Sequence, residues 1–256
     1  MRGFLLSLAR AARDAVRSGD PARYSDEVGR GASGSPTQVI DKLAEDAILQ
    51  ALSEAGEPLN VLSEEAPYVD RGATRTLIVD PVDGTKNAVS GIPFYATSLA
   101  IGNGTLSGIT HGLVYNLQTE QAYYAERGKG ASLDGRAITV RPYRPDQSVF
   151  TIYLGNSAHP HSYEVARLPR RVRAMGAASL ELCLVACGAA DVYYVNSTSN
   201  RLELRVVDIA AGALIVREAG GWVKDLAGKD LDLPLDLEHR SNLVALGDEA
   251  TWSVVA

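Results

Sequence analysis

An apolar run from residue 4 to 16 is interrupted by Arg10, Arg13, Asp14 and Arg17 at helical spacing, which predicts an amphipathic helix over 4–17. A second helix is predicted over 37–55. The joining segment, 28–36, is rich in Gly and Ser and predicts a mobile loop. Its Gly29-x-Gly31-x-x-Gly34 spacing matches a dinucleotide-binding pattern by letter, but residues 24–28 ahead of it do not make a buried strand, so the loop reading stands.

Short apolar runs at 60–62 and 76–79 predict strands, each running straight into acidic residues. Runs at 95–101, 108–115 and 121–125 predict successive antiparallel strands, with Gly102-Asn103-Gly104 supplying a turn. Beyond them strands (148–154, 173–175, 190–195, 221–224, 243–246) alternate with helices (163–167, 180–187, 209–219). Such alternation predicts a layered α/β (α+β) architecture with mixed sheets. Pro and Gly are spread along the chain with no linker between charge blocks, so one domain is expected over 1–256, in an N-terminal half of about 1–140 and a C-terminal half of about 141–256.

Composition narrows the function. The 25 Lys and Arg against 31 Asp and Glu leave a net charge of −6, without the basic field that holds nucleic acid. No run reaches the ~18 uninterrupted apolar residues of a membrane span, since 180–195 is broken by Glu181, Gly188 and Asp191, and no cleavage site follows the first helix. A cytoplasmic protein with no membrane partner is expected. Cys183 and Cys187 lie four apart in a stretch that reads as buried helix, where packing is their role. No phosphate-binding GxxxxGK[ST] loop, GxSxG elbow or HExxH pair is present.

The chemistry concentrates in acidic residues. The strand Thr76-Leu77-Ile78-Val79 ends in Asp80-Pro81-Val82-Asp83-Gly84-Thr85-Lys86-Asn87. Pro81 stiffens the turn and Gly84 permits close backbone approach, so both carboxylates and the Val82 carbonyl can converge beyond the strand end. Crowded carboxylates repel and drive a proton onto one of the group unless a hard cation joins them. Alone, such a turn is commonly a surface loop; its company changes the picture. Ser63-Glu64-Glu65 ends the neighbouring strand, and Asp208 stands at the expected N-cap of a small, apolar helix closed by Gly220-Gly221. A carboxylate at the interior end of a buried helix needs a strong partner, and a metal is one. A helix starting near Lys86 would offer the amides of Gly84 and Thr85 to an anion beside it. All these donors are oxygens, which points to Mg²⁺ or Mn²⁺ rather than zinc.

Together these elements resemble the inositol monophosphatase family, part of the lithium-sensitive phosphatase superfamily that includes fructose-1,6-bisphosphatases. Asp80-Pro81-Val82-Asp83-Gly84-Thr85-Lys86-Asn87 is similar to its first signature, and Asp208-Ile209-Ala210-Ala211-Gly212 through Glu218-Ala219-Gly220-Gly221 to its second, with Glu64-Glu65 upstream in the right order. The resemblance runs over about 37–225 and implies a layered αβαβα sandwich that commonly forms homodimers. It implies two or three Mg²⁺ ions on Glu64, Asp80, the Val82 carbonyl, Asp83 and Asp208. It places phosphate on Gly84 and Thr85, with Asp83 and Asp208 also meeting substrate. Asp41 and the Thr85 hydroxyl orient the attacking water, with Glu65 a further catalytic carboxylate.

Departures bear on substrate. Ser63 stands in place of the usual glycine and Val207 in place of the usual tryptophan, and neither removes a ligand. The stretch 194–206 is longer than in animal inositol monophosphatases and offers Arg201 and Arg205. With Arg167, Arg170, Arg171 and Arg173 it carries enough guanidinium for a second phosphate. Arg173 leads 173–179, similar to the family segment that touches substrate through its backbone, Ala178 included. Tyr153 and Leu154 are expected in the same pocket. The pattern is most similar to microbial and archaeal enzymes that accept both fructose 1,6-bisphosphate and inositol 1-phosphate. A 3′-phosphoadenosine 5′-phosphate or NADP(H) phosphatase would use the same metals, and an inactive metal-binding regulatory subunit would show a broken ligand set, which these acidic positions do not.

Overall fold

The computed structural model describes residues 1–198 and 204–256, so Arg201 lies outside the described residues. Helices α1 (Arg2–Ser18) and α2 (Val39–Ala55) form where the apolar spacing places them and pack on each other. The glycine-rich segment between them is not the expected loop throughout. Strands β1 (Glu27–Arg30) and β2 (Pro36–Gln38) pair antiparallel, Glu27 opposite Gln38 and Arg30 opposite Pro36. The cause lies outside the segment: Ala32 N–H donates to the Glu65 carbonyl at 2.9 Å and Ser33 N–H to the Glu64 carbonyl at 3.0 Å. Composition does not reveal an anchor of that kind.

A seven-stranded sheet follows in sequence order: β3 (Asn60–Ser63), β4 (Thr76–Asp83), β5 (Ala96–Gly102), β6 (His111–Asn116), β7 (Ala122–Glu126), β8 (Ala131–Leu133) and β9 (Arg136–Ile138). The first pair is parallel and the rest antiparallel. A short helix, α3 (Thr85–Val89), links β4 to β5. At three residues each, β8 and β9 are too short for alternation to announce them. The second half runs β10 (Val149–Ile152), α4 (Pro160–Val165), β11 (Arg171–Arg173), α5 (Ala178–Ala186), β12 (Val192–Val195), β13 (Leu204–Arg205), α6 (Val206–Glu218), β14 (Trp222–Lys224), β15 (Arg240–Ser241), β16 (Leu243–Leu246) and α7 (Trp252–Val255). Five of these strands form a mixed sheet in the order β11-β10-β12-β16-β14, and β13 pairs with β15.

Alternation sorts the layers. On β4, Leu77 and Val79 join α1 and α2 in one apolar cluster, while Ile78 points the other way and packs with α5 and α6. On β12, Tyr193 and Val195 join that middle cluster, while Val192 and Tyr194 pack with Val165 of α4 and Val255 of α7. The result is helices, seven-stranded sheet, helices, five-stranded sheet, helices: the αβαβα sandwich. Because α5 and α6 lie between two sheets they are apolar nearly all round. Gly212 lets them touch, since a Cβ there would stand 2.7 Å from Leu182 Cδ1. Among the described residues no helix is long and apolar enough to cross a membrane.

Candidate active site

The acidic motif is not a turn beyond a strand end, as expected, but an irregular strand. β4 continues to Asp83, and its register against β5 slips between Asp80 and Asp83. Pro81 has no N–H for the ladder and so belongs in a bulge; its carbonyl is taken by Thr97 Oγ1 at 2.8 Å. The slip sends the two carboxylates to different neighbours. Asp83 accepts from Ala178 N–H at 3.1 Å, Ser179 N–H at 2.7 Å and Ser179 Oγ at 2.5 Å, at the start of α5.

Asp80 meets other acids instead. The parallel pairing of β3 with β4 sets Ser63 opposite Val79, which brings Glu64 beside Asp80. Asp208 joins them from α6, and one carboxylate oxygen of each lies within 4.8 Å of the others. Asp208 is not the N-cap. Leu204 and Arg205 are held in β13, the helix begins at Val206, and Asp208 occupies its third position, where its Oδ2 accepts Arg205 N–H at 2.6 Å. Asp41 takes the same third position in α2, accepting Gln38 N–H at 3.2 Å. The Thr85 hydroxyl lies 2.9 Å from both Asp41 Oδ1 and the Val82 carbonyl.

Burial raises every carboxyl in this group. Asp80 and Asp208 are lifted well above the ordinary carboxylate range by burial and by the neighbouring Glu64 charge. Burial brings Asp41 and Glu65 to about 7. Glu64 is raised by burial and pulled back by Arg205. Asp83 rises only to about 6, because the Ser179 and Ala178 donors oppose burial. Asp80 Oδ1 is buried with no hydrogen-bond partner among the described residues. An orphaned carboxylate oxygen facing two more acids is a poor structural element and a good half-shell for a hard cation. These residues fit a metal ion.

Two cavities meet at the cluster. One, of about 460 Å³, is lined by Asp41, Glu64, Glu65, Asp80, Thr85 and Lys86 among others. The second, of about 500 Å³, is more apolar, with Tyr153, Leu154, Met175, Ala178, Val195 and Leu204 in its wall. Asp83, Gly176 and Asp208 border both. Gly84 introduces α3 with φ 87°, and a Cβ there would sit 3.0 Å from the Ala177 Cβ, so glycine is needed where the two cavities adjoin.

The arginines depart from expectation. The Arg205 guanidinium turns to the acidic side, with Nη1 3.1 Å from Glu64 Oε1 and Nη2 3.1 Å from the Ser33 carbonyl. Fixed at the N-cap of α6, it stands between Glu64 and Asp208, and its charge pulls both carboxyls down against burial. Arg167, Arg170, Arg171 and Arg173 are exposed, and Arg173 Nη1 donates to the Val172 carbonyl at 2.8 Å. None of these guanidiniums lines the larger cavity, whereas Tyr153 and Leu154 do.

Two buried carboxylates next to the site escaped the sequence reading. Glu45 accepts from Ser63 Oγ at 2.5 Å and Ala66 N–H at 2.8 Å, bracketing the Glu64-Glu65 pair, so the departure at Ser63 has a partner. Glu181 accepts from Met175 N–H at 3.3 Å and Gly176 N–H at 3.2 Å. The available signal was, for Glu181, a lone acid on an otherwise apolar helix and, for Glu45, a second acid one turn after Asp41 on the buried face of α2.

Known proteins are similar to this chain in sequence and fold. A fructose-1,6-bisphosphatase/inositol-1-monophosphatase of Thermococcus kodakarensis is 37% identical over 233 residues, 91% of this chain and 86% of that one. A fructose-1,6-bisphosphatase of Pyrococcus furiosus is 37% identical over 217 residues, 85% of this chain and 81% of that one. The crystal structure of an inositol monophosphatase-fructose 1,6-bisphosphatase gene product superposes with a TM-score of 0.86 at 28% identity, covering 99% of this chain and 97% of that one. The profile of the inositol monophosphatase family matches residues 1–254, and the chain therefore belongs to that family.

Proposed function

We propose that the protein is a Mg²⁺-dependent phosphomonoester hydrolase acting on small sugar or polyol phosphates, fructose 1,6-bisphosphate and inositol 1-phosphate among them. The observation that carries this reading is the convergence of Glu64, Asp80 and Asp208 with an unpartnered Asp80 oxygen, beside the Asp41–Thr85 pair. Glu64, Asp80, Asp208, Asp83 and the Val82 carbonyl would hold two or three Mg²⁺ ions, with Mn²⁺ as the alternative. Bound there, the ions supply a water of lowered pKa and positive charge for the phosphoryl oxygens.

The chain's own residues do the rest. Asp41 holds the Thr85 hydroxyl, and the pair orients the attacking water and takes its proton. Glu65, fixed by Thr37, keeps that side of the cavity acidic. Gly84 and Thr85 open α3, and the amides ahead of Asn87, whose own N–H goes to the Gly84 carbonyl at 2.8 Å, would bind phosphate oxygens. The larger cavity takes the leaving group against Tyr153, Leu154 and Ala178. Arg173 adjoins the cavity-lining Ala174 and would meet a second phosphate. The enzyme would work as a cytoplasmic homodimer.

A panel of fructose 1,6-bisphosphate, inositol 1-phosphate, 3′-phosphoadenosine 5′-phosphate and NADP⁺, each with Mg²⁺, tests the proposal. Phosphate release from the first two, abolished by chelation, is expected. Release from none of the four would favour an inactive metal-binding subunit.

A further inference from the structure

Between the two cavities runs a strip of irregular backbone, residues 174–177, after β11 ends at Arg173 and before α5 starts at Ala178. Ala174, Met175 and Gly176 line the larger cavity, and Gly176 borders both. The amides of this strip bond to a side chain rather than to a neighbouring strand. Met175 N–H and Gly176 N–H each find a separate oxygen of Glu181, at 3.3 and 3.2 Å. From the other side Asn87 Nδ2 donates to the Met175 carbonyl at 2.7 Å. Gly176 holds a positive φ of 78°, so the strip's path depends on these ties and not on a regular ladder.

Glu181 itself is 3% exposed on a helix whose other positions are apolar or small. A leucine there would pack without the cost of burying an acid. Its two oxygens match two amide donors, which an apolar side chain does not.

We propose that Glu181 is a positioning residue for the leaving-group pocket: its carboxyl clamps the 174–177 strip against Asn87 and so sets how tightly the phosphorylated substrate binds, without touching the reacting atoms. This rests on the phosphatase reading above. A glutamine offers one acceptor and one amide donor, and the donor would confront a backbone N–H. An aspartate keeps both oxygens on a shorter arm.

The test uses Glu181→Gln and Glu181→Asp in the full chain, with two readouts. The first is the split between KM and kcat, with the Mg²⁺ concentration for half activation, on whichever substrate the wild type turns over. The second is hydrogen exchange in a peptide covering 174–177, which reads with or without turnover. For Glu181→Gln, KM should rise about tenfold or more, the ratio set by losing a buried hydrogen bond that positions the wall. Turnover number and Mg²⁺ dependence should stay within about twofold, and exchange in 174–177 should accelerate while α6 stays protected. Glu181→Asp should move both readouts in the same direction by less, and it carries the test where the glutamine variant fails to fold. Unchanged KM, a fall in kcat alone, or unchanged exchange would overturn the clamp. A wild type that releases no phosphate would end the phosphatase reading, and exchange would still decide whether the clamp exists.

Discussion

Asp80 and Asp83 stand three residues apart on one strand, both buried, yet their surroundings are opposite. Asp83 is met by three donors from the start of α5, so it ties the seven-stranded sheet to the middle helices. Asp80 has an oxygen with no donor among the described residues and faces Glu64 and Asp208. Titration follows: donors hold Asp83 to about 6, while Asp80 is pushed well above the carboxylate range. Glu45 and Glu64 repeat the contrast on the other side of the cluster, the first bonded by Ser63 and Ala66, the second facing acids and leaning on Arg205. A buried carboxylate met by protein donors is a strut, even where, as proposed for Asp83, it also meets an ion. One with an oxygen left without donors beside other carboxylates is a ligand in search of a cation.

The sharpest way to break this contrast is a pair of isosteric changes. Asp80→Asn should cut Mg²⁺-dependent turnover about a thousandfold or more, as expected for removing charge that organises the transition state. The same change should raise the melting temperature of the metal-free protein at neutral pH, because an amide needs no proton taken up on folding to lie beside Glu64 and Asp208. Asp83→Asn should also remove Mg²⁺-dependent activity, but it should destabilise the metal-free protein by ~1–3 kcal/mol, since an amide cannot accept from three donors as a carboxylate does. Thermal melts of both variants in chelator check the opposite signs. Near wild-type turnover by Asp83→Asn would remove it from the ligand set.

Next in size is the effect of pH without metal. Burial raises Asp41 and Glu65 to about 7 and Glu181 to about 8, whereas in the unfolded chain such groups ionise near about 4. Across that window the folded state binds more protons than the unfolded one, so stability is greatest below it and falls as pH rises through it. The metal-free melting temperature should therefore drop between about pH 5 and about pH 8. Added Mg²⁺ should flatten the slope, because it replaces protons as the partner of the cluster. A metal-free protein that gains stability over this range would contradict the burial argument.

The contrast also explains what was legible in the letters. Asp80, Asp83 and Glu64 could be read because each follows a short apolar strand, and sequential strands are usually neighbours. Alternating strands and helices announced layers with mixed sheets, and the family resemblance supplied their number; β12, whose odd and even residues enter different clusters, shows the physical basis. Asp208 was placed at the helix start but three positions off, since the pairing of β13 with β15 that sets the helix boundary involves residues far apart in sequence. The hairpin of β1 and β2 and the direction of Arg205 were hidden for a like reason: both depend on contacts with Glu64 and Glu65. Glu181 was visible only as a break in an apolar run, and its partners come from a strip with no periodicity of its own.

Smaller effects refine the distinction between strut and ligand. Glu45→Gln should cost ~1–3 kcal/mol and raise the Mg²⁺ concentration for half activation several-fold with little change in KM, because it loosens the backbone that carries Glu64. Melting curves and Mg²⁺ titrations of the assay separate that outcome from the KM effect expected at Glu181. Arg173→Ala should be weakest, a rise of about threefold in KM for a bisphosphate and none for a monophosphate, as suits an exposed guanidinium.

Calorimetric titration of the metal-free protein with Mg²⁺, without substrate, goes most directly to the claim that Glu64, Asp80 and Asp208 form a cation site. Saturable binding to the wild type that disappears in a folded Asp80→Asn protein is the expected result. Equal binding by the two proteins, or none by either, would contradict it.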